Sequence, residues 1–101
     1  MKLLLTIEDT FVINARGLVV VPAPRIQEVR GPGDLDVELH FPDGQRRKAT
    51  LTLLFEFLFP APAIRRWGCM FRSLAKADVP IGTEVWCEES ALLSQPSPSD
   101  G

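Results

Sequence analysis

Two thiols, one imidazole and a short row of carboxylates are the side chains of this 101-residue chain whose types could serve catalysis or metal binding. Cys69 and Cys87 have no histidine near them in the sequence, and a thiol nucleophile needs an adjacent base. His40 is the only histidine, beside Glu38 in a run where Asp34, Asp36 and Glu38 occupy every second position. A structural zinc takes about four ligands, which one imidazole and two distant thiols do not supply. Period-two carboxylates lie on one side of a strand, where they keep it solvated. A phosphate-binding loop requires Gly-x-x-x-x-Gly-Lys-Ser/Thr between a strand and a helix, and the chain lacks that run. The expectation is a non-enzymatic chain with no metal, no cofactor and no nucleotide site of its own.

Two other sets of residues point to binding. Arg46, Arg47 and Lys48, with Arg65 and Arg66, are the main basic clusters, and Trp67 and Trp86 could stack bases between them. The same basic run also faces the acidic row across a turn, which reads equally as cross-strand charge matching. In Leu51 to Phe59, alternation turns Leu51, Leu53, Phe55, Phe57 and Phe59 inward and Thr52, Leu54, Glu56 and Leu58 outward. Outward Leu54 and Leu58, continued by Phe59, make an apolar strip of the kind that partners cover, unless Ala91 to Leu93 or the prolines of residues 60–62 cover it.

The elements that must carry these residues are strands. Leu3, Leu5 and Ile7 alternate with Leu4, Thr6 and Glu8; Phe11 and Ile13 follow, then Leu18 to Val21 after Gly17. Pro22, Pro24, Gly31, Pro32 and Gly33 bracket a loop. Leu35, Val37, Leu39 and Phe41 alternate strictly with Asp34, Asp36, Glu38 and His40, Pro42-Asp43-Gly44 makes a turn, and the strand from Arg46 completes a hairpin over residues 34–57. Trp67, Cys69 and Phe71 share a face, as do Val85 and Cys87 opposite Trp86, and Leu74 to Asp78 is the one helix-like turn. Such a pattern predicts an all-β fold, a small closed six- or seven-stranded antiparallel β-barrel over residues 1–88. Residues 89–101 read as a disordered polar tail.

Charge and hydropathy narrow the setting. Glu88, Glu89 and Asp100 hold three of the thirteen carboxylates, which leaves eleven cations against ten anions, or +1, for residues 1–87. No long-range field draws such a body to nucleic acid or anionic lipid. The leucines after Lys2 stop at Thr6, short of a signal-peptide core, and the apolar stretch 49–64 is broken by Glu56, Pro60 and Pro62. No membrane span is expected, and buried reduced thiols suit a cytoplasmic protein.

One family pattern runs through the chain. Ile7-Glu8-Asp9-Thr10-Phe11-Val12-Ile13-Asn14-Ala15-Arg16-Gly17-Leu18-Val19-Val20 resembles the opening of the second, β-barrel domain of elongation factor Tu and related translational GTPases. Pro32-Gly33-Asp34 resembles that family's Gly-Asp turn, and Phe71 to Val85, with Asp78 and Gly82, resembles its closing motif. The resemblance spans about residues 7–86 and implies the barrel fold without the GTPase domain. In elongation factor Tu this barrel helps hold the aminoacylated end of tRNA. Glu8, Phe11 and Arg16 match the family pattern, but Val21 stands where the pocket has threonine and Arg66 near its asparagine, so that end group is not the expected ligand. Ala15 and Ser73 replace glycines of the pattern. The function expected is a non-catalytic barrel that binds RNA or protein, with self-association included. The alternative is an adaptor or inhibitor subunit unconnected with translation that uses the apolar strip.

Overall fold

The computed structural model describes residues 1–14, 16–56 and 63–93. Seven strands form one antiparallel sheet: β1 (Lys2–Thr6), β2 (Asp9–Ile13), β3 (Gly17–Val21), β4 (Gly33–His40), β5 (Arg46–Phe55), β6 (Trp67–Phe71) and β7 (Glu84–Cys87). Their order is β1-β7-β4-β5-β6-β3-β2. Among the described residues there is no α-helix, and no helix long and apolar enough to cross a membrane. The expected helix-like turn is a single 3-10 turn, Lys76–Asp78, where the Ala75 amide donates to Asp78 Oδ2 at 2.8 Å.

The strict alternation of residues 34–41 has the predicted consequence. Val37 and Leu39 are buried, and β4 pairs with β5 in unbroken register from Gly33 opposite Leu53 to His40 opposite Arg46. The turn closes with the Phe41 amide donating to Gln45 O at 2.8 Å and the Gln45 amide to Asp43 Oδ1 at 2.9 Å. Leu51 and Leu53 of β5, Trp67, Cys69 and Phe71 of β6, Leu18 and Val20 of β3 and Val85 and Cys87 of β7 complete the inner face. Removing these side chains from water is the main drive for the sheet to curl around them.

The sheet is an open half-barrel, which corrects the expected closed one. β1 and β2 lie at opposite edges and share no ladder, although only Ile7 and Glu8 separate them in the chain. Those two residues explain the geometry. Ile7 donates to Thr83 O and accepts from the Gly82 amide, both at 2.8 Å, while the Glu8 amide turns the other way to Val21 O at 2.8 Å. Residues 2–13 thus run as one bent strand that serves β7 with its first half and β3 with its second.

Three further expectations change. Leu3 is 45% exposed, because the β1–β7 register shifts between Leu3 and Leu5 and Leu4 packs on the core instead. Phe55, read as inward, lies beyond the end of the core and is exposed, its ring 4.9 Å from that of Trp67, which takes the buried place and donates Nε1–H to Val29 O. Thr52 faces outward as expected and is covered there between Met70 and Asp34, its hydroxyl donating to Asp34 Oδ1 at 2.7 Å. Residues 89–93, grouped by composition with the tail, contain a 3-10 turn and dock on the proline loop. Arg30 donates to Ala91 O, Leu93 to Glu28 O, and Val29 bridges Leu92. The remainder of the expected tail, residues 94–101, lies outside the described residues, as do Phe57 to Pro62.

Gly17 holds the β2–β3 hairpin against the end of β6. Its φ is +139°, and a Cβ there would lie 2.7 Å from Phe71 O and 3.0 Å from Arg72 Cα. Gly17→Ala therefore adds a backbone clash to conformational strain and is expected to cost about 3 kcal/mol. Gly44, with φ +93° and open space around it, carries strain alone, and its alanine variant is expected to cost about 1 kcal/mol. Urea unfolding of both variants measures the difference; equal losses would show that the close approach contributes nothing.

Candidate functional site

The outer face of the sheet divides into two halves of different chemistry. On β4 and β7 it is polar and self-satisfied. His40 Nε2 pairs with Glu38 Oε1 at 2.8 Å, and Arg46 Nη1 stands 3.6 Å from the same oxygen. The imidazole, expected to be exposed, is half-buried and stacked on Trp86 with ring centroids 5.1 Å apart and planes 19° from parallel. Trp86 in turn donates to Glu84 Oε1 at 3.1 Å. The register sets Glu38 opposite Trp86 and His40 opposite Glu84, so these four side chains occupy one another.

Across β2, β3, β6 and β5 the outer face is apolar. Phe11 lies opposite Val19, Val19 opposite Met70, and Met70 opposite Thr52, which makes one row across four strands. In the neighbouring positions Ile13 faces Gly17 and Leu54 faces Gly68. Two recesses lie among these side chains. One, of about 210 Å³, is bounded by Ile13, Arg16, Val19, Leu54, Glu56 and Met70, with Gly68 among them. A second, of about 230 Å³, is lined by Arg16, Leu54, Met70 and Arg72. Phe11 is 51% exposed, Ile13 41% and Leu54 36%, while Met70 beneath them is buried.

The structure treats the sequence-derived candidates unequally. Leu54 belongs to this face; Leu58 and Phe59 lie outside the described residues. Glu8, Phe11 and Arg16 follow one another along β2 and its turn, with Gly17 closing it. Gly33 and Asp34 open β4, Asp78 caps its 3-10 turn, and Gly82 donates to Ile7 O. The basic clusters are not brought together. Arg46, Arg47 and Lys48 begin β5, whereas Arg65 and Arg66 adjoin its far end, about 30 Å along the strand. Lys48 stands opposite Glu38, and Arg66 Nη1 donates to Ala23 O. Sequence reasoning missed Met70, Arg72 and Lys76. Alternation within β6 marks Met70 as outward, but the meeting of Arg72 with Arg16 depends on Gly17 and has no local signal.

Cys69 and Cys87 are free and buried. Burial, and then the negative charge of Glu56, push the Cys69 thiol up to about 12, and Cys69 Sγ donates to Val20 O at 3.3 Å. Burial and then Glu88 raise the Cys87 thiol as well. Among the described residues no three His, Cys, Asp or Glu side chains are grouped to hold a metal ion. The chain has no significant match among protein-family models, curated proteins or solved structures.

Because the thiolate is the reactive form, native Cys69 and Cys87 are expected to react with a disulfide reagent at pH 8 roughly a hundredfold more slowly than in the urea-unfolded chain. The raised Cys69 value has a definite sign in stability. The folded chain keeps a proton that the unfolded chain loses, so stability is expected to fall as pH rises from 9 toward 12. Fast native labelling at pH 8 would contradict this account of the site.

Proposed function

We propose that this chain is a non-catalytic binding module, a barrel of the translation-factor domain 2 type without its GTPase, and that it captures a protein partner on the outer face of β2, β3, β6 and β5. One observation carries the reading: Phe11, Ile13 and Leu54 are all exposed around Met70 on one continuous face, while the other half of the same sheet has satisfied its own side chains. Apolar side chains gathered on an otherwise polar sheet are the usual core of an interface. The neutral thiols and the engaged His40 support a binding role over a chemical one. Separation of the two basic clusters favours protein over a nucleic-acid backbone, which needs a continuous cationic track.

Affinity capture from native lysate, with protein and RNA both identified, tests the reading. Ile13→Asp combined with Leu54→Asp is expected to lose the captured protein while shifting the melting temperature by only a few degrees, since both residues are exposed. Retention of the same partners by that variant refutes this face. RNA recovered with the parent and lost from R46Q/R47Q/R65Q/R66Q would place function on nucleic acid instead.

A further inference from the structure

Arg16 and Arg72 come from opposite ends of the chain and are held together by the contact that Gly17 makes with Phe71 and Arg72. Both line the recess of about 230 Å³ over Leu54 and Met70, and both line a larger one of about 390 Å³ around the β2–β3 turn, which Lys76 also borders. Among the described residues no carboxylate lines either recess, and the nearest, Glu56, shares only the adjoining recess of about 210 Å³ with Arg16. Among the described residues Arg16 and Arg72 form no ion pair, unlike Arg25 with Glu28 or Arg46 with Glu38. Two arginines that line one recess, neither engaged in an ion pair, offer it two planar donor forks of the shape that fits a carboxylate.

The surroundings select the anion. Leu54 and Met70 form an aliphatic floor, and among the described residues no aromatic side chain lines this recess to stack a base. Glu56 lies over Gly68 beside it, its Oε1 2.9 Å from where a Cβ would stand, and Asp34, Asp36 and Glu38 continue the outer face on β4. A polyanion laid along the sheet would meet those carboxylates, whereas a single carboxylate between aliphatic groups would not. We infer that Arg16 and Arg72 are a carboxylate subsite of the apolar face, and that the partner presents a segment with one Asp or Glu flanked by aliphatic side chains. This inference rests on the reading of that face as the protein-binding one and names the chemistry it recognises.

The probe is a random heptapeptide display library panned against the full chain, followed by affinity measurement of one enriched peptide. Enriched sequences are expected to carry an acidic residue beside Leu, Ile, Val or Met. R16Q/R72Q is expected to weaken the chosen peptide at least about tenfold, and the peptide's own Asp→Asn or Glu→Gln change to do the same on the parent but little on the variant. The peptide-side change leaves the protein untouched, so a folding defect cannot imitate the result. Enriched peptides without an acidic residue, or with affinity indifferent to R16Q/R72Q, overturn the subsite; if Leu54→Asp still abolishes them, the apolar face itself stands. Indifference to both variants, or no enrichment at all, overturns subsite and face together. A short oligouridylate that displaces the peptide and depends on Arg16 and Arg72 overturns the carboxylate assignment in favour of phosphate.

Discussion

The junction at Ile7 and Glu8 sets the geometry of everything else. There the chain turns its hydrogen bonds from one neighbour to another, toward Gly82 and Thr83 before the bend and toward Val21 after it. Ile7 is 1% exposed, so the bend is pinned by burial as well as by hydrogen bonds. A single strand bent in this way gives both edges to one stretch of sequence and forces the five strands between them to curl. Curling in turn creates a concave face for Leu18, Leu39, Leu53, Phe71 and Val85, and a convex one on which everything available to a partner is displayed.

The convex face shows how pairing register distributes chemistry. On β4 and β7, polar side chains find one another across the ladder, and Glu38, His40, Trp86 and Glu84 are consumed by mutual contacts. On β3 and β6 the side chains facing out are Val19 and Met70, which have nothing polar to offer, while the backbone of Phe71 and Arg72 closes over Gly17 and the Glu56 side chain over Gly68. A sheet that is finished on one half and unfinished on the other has a natural direction of attachment. Arg16 and Arg72 stand at the boundary of that unfinished half.

Much of the architecture was legible from local pattern. The alternation of residues 34–41 and the Pro42-Asp43-Gly44 turn predicted the β4–β5 hairpin, and Trp67, Cys69 and Phe71 fell on one inner face as their spacing required. What could not be read depends on contacts between distant segments. The bulge in β1 reverses the phase of Leu3, which a period-two pattern assumes constant. Phe55 loses its expected inward place because Trp67, from another strand, takes it, and Asp34 decides that outward Thr52 is covered. The change of partner between β1 and β2 rests on two hydrogen-bonding directions at adjacent residues, Ile7 and Glu8. Leu54 was visible as an outward leucine, but the arginine pair was not, since only the missing side chain of Gly17 brings the hairpin to Arg72.

The free margin of β2 shows a last consequence. The amide of Thr10 donates to Asp9 Oδ1 at 2.8 Å, and its carbonyl accepts from Lys76 Nζ at 3.0 Å. Bare strand margins join indiscriminately, because every polypeptide offers the same amides and carbonyls. Here two side chains have taken both main-chain groups of the residue next to Phe11, so an incoming strand finds no vacancy at Thr10. Main-chain pairing at this margin is thereby closed at Thr10, with the ammonium of Lys76 acting as an insulator of the strand beside Phe11.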